Sequence, residues 1–354
     1  MIYIVIASIL LICSFVEVFC TKQERHFDIS LLFGFIAIAL VVIAGSRQCG
    51  YDYINYKTYF EILHSPFWKN QSEGLAVEGA FGWLCYILPS YDLLVFLFAA
   101  LSLGLILYFV KFNSPYPIFS IFLLLGVCFY STYMGQFRQG LAISILLMSF
   151  MAENKWIKLS LNLFACIFHV TAVLGLLQFI VPKTMMKGRF YLFCLLGALV
   201  VNLTCYEVLI KIMPHLPGFL AGKLSFYVAT EKGVSLGLNM AMLLRLTFFG
   251  IFYKNRELMI SDKQYDHMLN LYFVSLLIYL GFGFLPQIAG RGGLYFNILE
   301  IVLAAKVLHA LPNRNKEKYV IFAFFVAVSL YRQLSLFTSE LGRELFLPYQ
   351  SWLV

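Results

Sequence analysis

Residues 92–110 read DLLVFLFAALSLGLILYFV. After the opening aspartate the stretch carries no charge. An α-helix rises 1.5 Å per residue, so this run reaches about 28 Å, close to the ~30 Å hydrocarbon core of a bilayer. Comparable runs fall at about 2–20, 29–46, 117–133, 138–152, 190–210, 236–253, 268–287, 292–309 and 319–337. They predict an all-α polytopic integral membrane protein with about ten transmembrane helices, in a single membrane domain over residues 1–354. The opening MIYIVIASILLICSFVEVFC lacks a basic leader and a small-residue cleavage site, so it reads as a retained span.

Composition agrees. Of 354 residues, 61% are hydrophobic and 12% charged, against about 45–50% and about 25% for soluble domains. That excess is too large for a bigger core and fits helices facing lipid. The net charge of +8 therefore reports topology before it reports nucleic-acid binding, and no nucleic-acid partner is expected. The eight cysteines form no C-x-x-C pair and have no histidine at metal-ligand spacing, so neither a metal site nor a cofactor is expected. Cys49 and Cys85 flank one polar loop and are a disulfide candidate if that loop is extracytoplasmic.

Basic connectors set the orientation. TKQERH, VKFN, ENKWIK, PKTMMKGR, KNRELMISDK and PNRNKEK all belong on the cytoplasmic side by the positive-inside rule. Alternation then works on one condition. Residues 157–181, flanked by two basic connectors, must enter and leave on the same side, as a broken or re-entrant helical hairpin with His169 at its turn. A single long tilted helix would violate the charge rule. Both termini, the loops 47–91, 134–137, 211–235 and 288–291, and the tail 338–354 are then extracytoplasmic. The loop 47–91 is unusually long, which often marks a functional segment, and its 77–88 stretch reads as an interfacial amphipathic helix.

The remaining unusual residues gather on that side: Arg47, Asp52, Glu78, Arg138, His169, Arg245, Arg291 and Arg332. Arg138 and Arg291 each stand where an inward-running helix is expected to begin. A helix N-terminus presents unpaired N–H groups and partial positive charge, so an arginine there is unfavourable unless an anion is bound. Gly290, Gly292 and Gly293 would let such a ligand approach the backbone. The competing reading is a snorkelling arginine, or an ion pair with Glu300 or Asp52. Asp52, Tyr53, Asn55, Tyr56 and Tyr59 form a polar and aromatic cluster suited to a sugar. Glu207 and Glu300 lie in apolar runs and need partners.

Taken in order, AGSRQCGYDYINYKTYF (44–60), VEGAFGWLCYIL (77–88), GQFRQGLAISILLMSF (135–150), CIFHVTAVLGLL (166–177), GRGGLYF (290–296) and LPYQ (347–350) resemble the EpsG family of bacterial membrane proteins. That family is a branch of the Wzy-type O-antigen and exopolysaccharide polymerases. Thr171 stands where serine is expected, and Gly79 where proline is frequent. The resemblance implies a glycosyltransferase at the outer, periplasmic face of the bacterial inner membrane. It would move a growing glycan from undecaprenyl pyrophosphate to a lipid-linked repeat unit, as in lipopolysaccharide assembly. Membrane lipid and a chain-length regulator protein are the implied partners. On this reading Asp52, Glu78, Arg138, His169 and Arg291 are the candidate catalytic residues. Arg47, Tyr53, Tyr56, Gln139, Arg245 and Tyr295 are the candidate substrate contacts. A transporter or flippase of lipid-linked oligosaccharide, and an O-antigen ligase, are the alternatives.

Overall fold

The ten apolar runs all coincide with helical structure in the computed structural model, which describes residues 2–20, 26–65, 79–215, 237–260, 262, 264–313 and 315–353, with scattered positions between 218 and 228. The helices are α1 (Ile2–Phe15), α2 (His26–Gly45), α3 (Tyr53–His64), α4 (Gly79–Ile87), α5 (Tyr91–Asn113), α6 (Pro117–Leu124), α7 (Phe137–Met151) and α8 (Lys155–Phe168). They continue with α9 (Gly188–Ile212), α10 (Met240–Lys254), α11 (Tyr265–Gly281), α12 (Pro286–Asn297), α13 (Glu300–Ala310), α14 (Lys316–Thr338) and α15 (Glu340–Phe346). No β-strand occurs among the described residues; one isolated antiparallel bridge joins Arg47 and Ser351.

By length and composition, four helical stretches among the described residues are able to cross a membrane: Ile2–Cys20, Tyr91–Asn113, Gly188–His215 and Lys316–Thr338. Helices α12 and α13, bent by 40° at their junction, supply a fifth if counted together. The chain is thus a helical membrane protein, and among the described residues at most five of the ten expected spans are long and apolar enough to cross on this measure. The shortfall lies in runs such as Phe137–Met151, whose helix is 15 residues long, about 22 Å of rise. Almost every side chain of α7 is buried, from Phe137 and Gln139 to Phe150, so this helix meets protein rather than lipid. Helix α9 is the opposite case. It is apolar all round, and Phe190, Leu192, Phe193, Leu196, Val200 and Leu203 are exposed, the pattern of a lipid-facing helix.

The chain divides into two compact units, residues 1–176 with 304–354, and residues 177–303. In the first unit, α7 packs between α5 and α8. Residues 157–181 are broken at His169, the position expected for a turn. Helix α8 ends at Phe168, His169 is extended (φ −155°, ψ 114°), and a 3-10 helix follows over Val170–Phe179. A side chain at Gly175 would collide with Asn162 and Leu146, so the second limb lies against the first and against α7. Within an apolar run, the buried Glu17 accepts the backbone N–H groups of Ile118 and Phe119 at 3.1 and 2.8 Å. Pro117 opens α6, and Glu17 satisfies the exposed donors behind it. Glu17→Ala should lower the stability of the detergent-solubilised protein by about 1.5–3 kcal/mol, the range for hydrogen bonds to a charged group. An unchanged melting curve would show that water replaces the carboxylate there.

In the second unit, Asn270 on α11 is the hub. Its amide donates to Pro182 and Thr184 carbonyls at 2.8 and 3.0 Å, and its oxygen accepts from the Tyr191 hydroxyl at 2.5 Å. These bonds tie the 182–186 segment and α9 to α11. Gly293 lets α12 approach α11 closely, since an added Cβ would stand 3.2 Å from the Ser275 carbonyl.

Candidate functional site

Helix α2 ends at Gly45 and delivers the chain into a tight loop, residues 46–52. A helix C-terminus leaves its last carbonyls without intrahelical donors. Here Val42 takes the Ser46 N–H, Ile43 the Tyr349 hydroxyl, Ala44 the Arg47 guanidinium and Gly45 the Trp352 indole. Arg47 is fully buried. Its Nη1 donates to Ala44, while Nε and Nη2 have no hydrogen-bond partner among the described residues. Burial lowers its pKa, but a guanidinium does not lose its proton in a protein. The helix C-terminus is a favourable place for one cation; it leaves the rest of the buried charge uncompensated.

The loop then turns through Gly50 (φ 116°) and Asp52 (φ 56°), both left-handed. Asp52 is half-buried and stands at the start of α3, with its side chain not engaged in capping. A non-glycine residue held at positive φ is strained, and such strain concentrates at functional sites. Tyr53 and Tyr56 follow, both buried. The Tyr91 hydroxyl donates to the Tyr53 carbonyl at 2.8 Å. Burial and the Asp92 charge push the Tyr53 hydroxyl up to about 12, against the pull of Arg47, so it remains a neutral donor at physiological pH.

Arg138 lies in the first turn of α7, as expected, and no side chain caps that helix from Gln136. Its guanidinium carbon stands 4.8 Å from the Tyr56 ring centre and 4.9 Å from that of Phe81. Two aromatic faces therefore hold one planar cation. Phe137 contacts Tyr56 with ring centres 4.3 Å apart and lies 5.7 Å from the Arg47 guanidinium carbon. Arg47 and Arg138 thus address a shared pair of rings in tilted contact. Gln139, the next residue, is buried. His169 follows Phe168, whose ring meets Phe98 at 6.2 Å; Phe98 in turn meets Phe81 and Phe137. The first unit thus brings Arg47, Tyr53, Tyr56 and Arg138 together around Phe137 and Phe81, while Asp52, Gln139 and His169 are their chain neighbours or those of the surrounding rings. Glu78 lies outside the described residues.

Arg245, Arg291 and Tyr295 belong to the second unit. The Arg245 guanidinium carbon stacks 4.1 Å from the Tyr279 ring centre, and the Tyr279 hydroxyl pairs with Asn239. The fully buried Glu300, which lacked a visible partner in the sequence, receives the Tyr272 hydroxyl at 3.0 Å; that hydroxyl is also 3.2 Å from the Arg245 carbonyl. Tyr295 is buried on α12.

Three expectations are corrected. Arg291 does not open a helix. Pro286 does, since proline has no N–H to leave unpaired and its φ suits the first position, so Arg291 sits in the second turn. Gly293 serves the contact between α11 and α12 rather than a ligand. Cys49 and Cys85 are both free thiols, and Cys49 instead lies 3.6 Å from the Tyr3 hydroxyl. Sequence reasoning also missed the C-terminal tail as a wall of the Arg47 loop. Its single trace was the LPYQ element.

The EpsG family model matches residues 30–351. Comparison with curated proteins and with solved structures yields no match.

Proposed function

Because this chain belongs to the EpsG family, a Wzy-like polymerase family of membrane proteins, we propose that it is an O-antigen or exopolysaccharide polymerase working at the outer face of the bacterial inner membrane. In the proposed reaction an acceptor sugar hydroxyl attacks the anomeric carbon of a glycan carried on undecaprenyl pyrophosphate. The new glycosidic bond forms as the bond from the anomeric carbon to the phosphate oxygen breaks. Undecaprenyl pyrophosphate leaves with the electron pair, and the hydroxyl proton passes to a base.

The observation that carries this reading is the aromatic-clamped Arg138 in the first turn of α7. The reaction builds negative charge on a phosphate oxygen, and fixed guanidinium and helix-terminal N–H groups stabilise such charge without reorganising. Arg47, buried beyond Phe137, adds positive potential from beneath. Asp52 is the proposed base, because its strained backbone fixes it at the start of α3 beside the loop that carries Arg47. Glu78 and His169 are the other candidates for that role. Gln139, Tyr53 and Tyr56 are the proposed contacts to the sugar and phosphate. Arg245, Arg291 and Tyr295 are proposed as substrate contacts of the second unit. A chain-length regulator protein is the proposed partner in the membrane.

The test is glycan length on a gel in cells lacking the gene. Single-repeat glycans are expected from the deletion, and a ladder on complementation with wild type. A normal ladder in the deletion strain would overturn the reading. Loss of all lipid-linked glycan from the outer face, rather than its persistence as single repeats, would point to transport instead.

A further inference from the structure

The end of the chain, from Leu345 to Trp352, is spent on one short loop. Gly50 donates its backbone N–H to Leu345 at 2.7 Å, Gln48 donates to Gln350 at 2.8 Å, and Trp352 donates to Ser46 at 3.0 Å. The Tyr349 hydroxyl donates to the Ile43 carbonyl at 2.8 Å and lies 3.2 Å from the Ser46 hydroxyl. The Ser351 hydroxyl donates to the Ser46 hydroxyl at 3.0 Å. Tyr51 stacks edge-on against Phe346 at 5.3 Å. These bonds grip residues 43–46 on one side of Arg47 and 48–51 on the other.

Helix C-termini are ordinarily closed by a neighbouring glycine. Here the closing hydroxyl comes from 306 positions away. A distant cap does one thing a local cap does not: it fixes the backbone on both sides of Arg47 to a separate element. Between the two gripped segments, Arg47 is buried with two guanidinium nitrogens that have no hydrogen-bond partner among the described residues. A buried charge in that condition is unfavourable. It will swing away unless its backbone is held.

We propose that residues 345–352 are a strap that positions Arg47 for anion binding, and that Tyr349 is its principal positioning residue. The inference rests on the proposed anion site at Arg138, which Arg47 supports. Tyr349 acts through the backbone rather than as a proposed substrate contact. It holds the last turn of α2 and Ser46 in the geometry that keeps the Arg47 charge under Phe137.

The test is a double-mutant cycle on the full-length protein in detergent micelles, with farnesyl pyrophosphate as a short polyprenyl pyrophosphate probe. Arg47→Ala and Tyr349→Phe are each expected to weaken binding about tenfold, and the double variant no further than Arg47→Ala alone, because coupled residues are non-additive. Additive losses, or unchanged binding in Tyr349→Phe, would overturn the strap. If Tyr349→Phe fails to fold, Ser351→Ala, which removes one hydroxyl link, takes its place in the cycle under the same criteria. Loss of binding in Arg138→Ala with none in Arg47→Ala would overturn the strap and leave the anion site standing. Unchanged binding in both would overturn the anion site itself.

Discussion

Arg138→Lys is expected to cut polymer output by about a hundredfold or more, with the protein present in the membrane at wild-type level. The substitution keeps the positive charge, so topology and bulk electrostatics are preserved. It removes the plane. The Tyr56 and Phe81 rings stand 4.8 and 4.9 Å from the guanidinium carbon, a separation that suits a flat, weakly hydrated cation. An ammonium is a compact, strongly hydrated point charge on a flexible stem. It neither stacks well between two faces nor offers paired N–H donors to a phosphate. Removing one fixed donor to a developing oxyanion typically lowers turnover by about 10²–10³. Glycan length on a gel, at matched membrane levels, reads the result. A full ladder from Arg138→Lys would mean that charge alone suffices. A full ladder from Arg138→Ala as well would make Arg138 structural, and the phosphate would have to be sought elsewhere.

What the sequence disclosed follows from the range of the forces involved. Apolar runs are local, and all of them became helices. Arg138 was legible because glycine and glutamine precede it and an unbroken apolar stretch follows. The break at His169 was legible because two basic connectors on either side demanded it. Arg291 was misplaced for a local reason: the apolar pattern carries one run to 287 and opens the next at 292, whereas the first helix ends at Gly281 and the second begins at Pro286. Long-range contacts were not legible. Glu17 looks like an unpaired carboxylate until α6 arrives, and its acceptor bonds reach 101 and 102 positions along the chain. The strap has no periodic signature at all, since its backbone and hydroxyl bonds join residues about 300 positions apart. The aromatic clamp is similar. Tyr56, Phe81 and Arg138 lie on three helices; the sequence marks Tyr56 and Arg138 one by one, but nothing in it shows that they meet across Phe81.

Gly50→Ala is expected to disrupt the site more thoroughly than any single side-chain truncation in the loop. Gly50 has φ 116°, which side-chain-bearing residues rarely adopt, and an added Cβ would run into the Met134 carbonyl. Strain of this kind is worth roughly 1–3 kcal/mol before the collision is counted. The collision cannot be relieved cheaply, because the obstacle is backbone just ahead of α7 and the Gly50 N–H is tied to Leu345 at 2.7 Å. The loop must leave either the start of α7 or the strap, and each route moves Arg47 relative to Phe137. A matched control lies on the preceding helix. Gly34 has no atom within 4 Å of an added Cβ, and alanine is favoured over glycine in a helix by about 1 kcal/mol, so Gly34→Ala should keep or raise stability. Melting temperature in detergent and glycan length in cells read both variants. The expected contrast is a lowered melting temperature and single-repeat glycans for Gly50→Ala, beside a wild-type ladder for Gly34→Ala. Equal behaviour of the two would mean that the 46–52 loop is free to rearrange, and that Arg47 is not held where the anion site requires it.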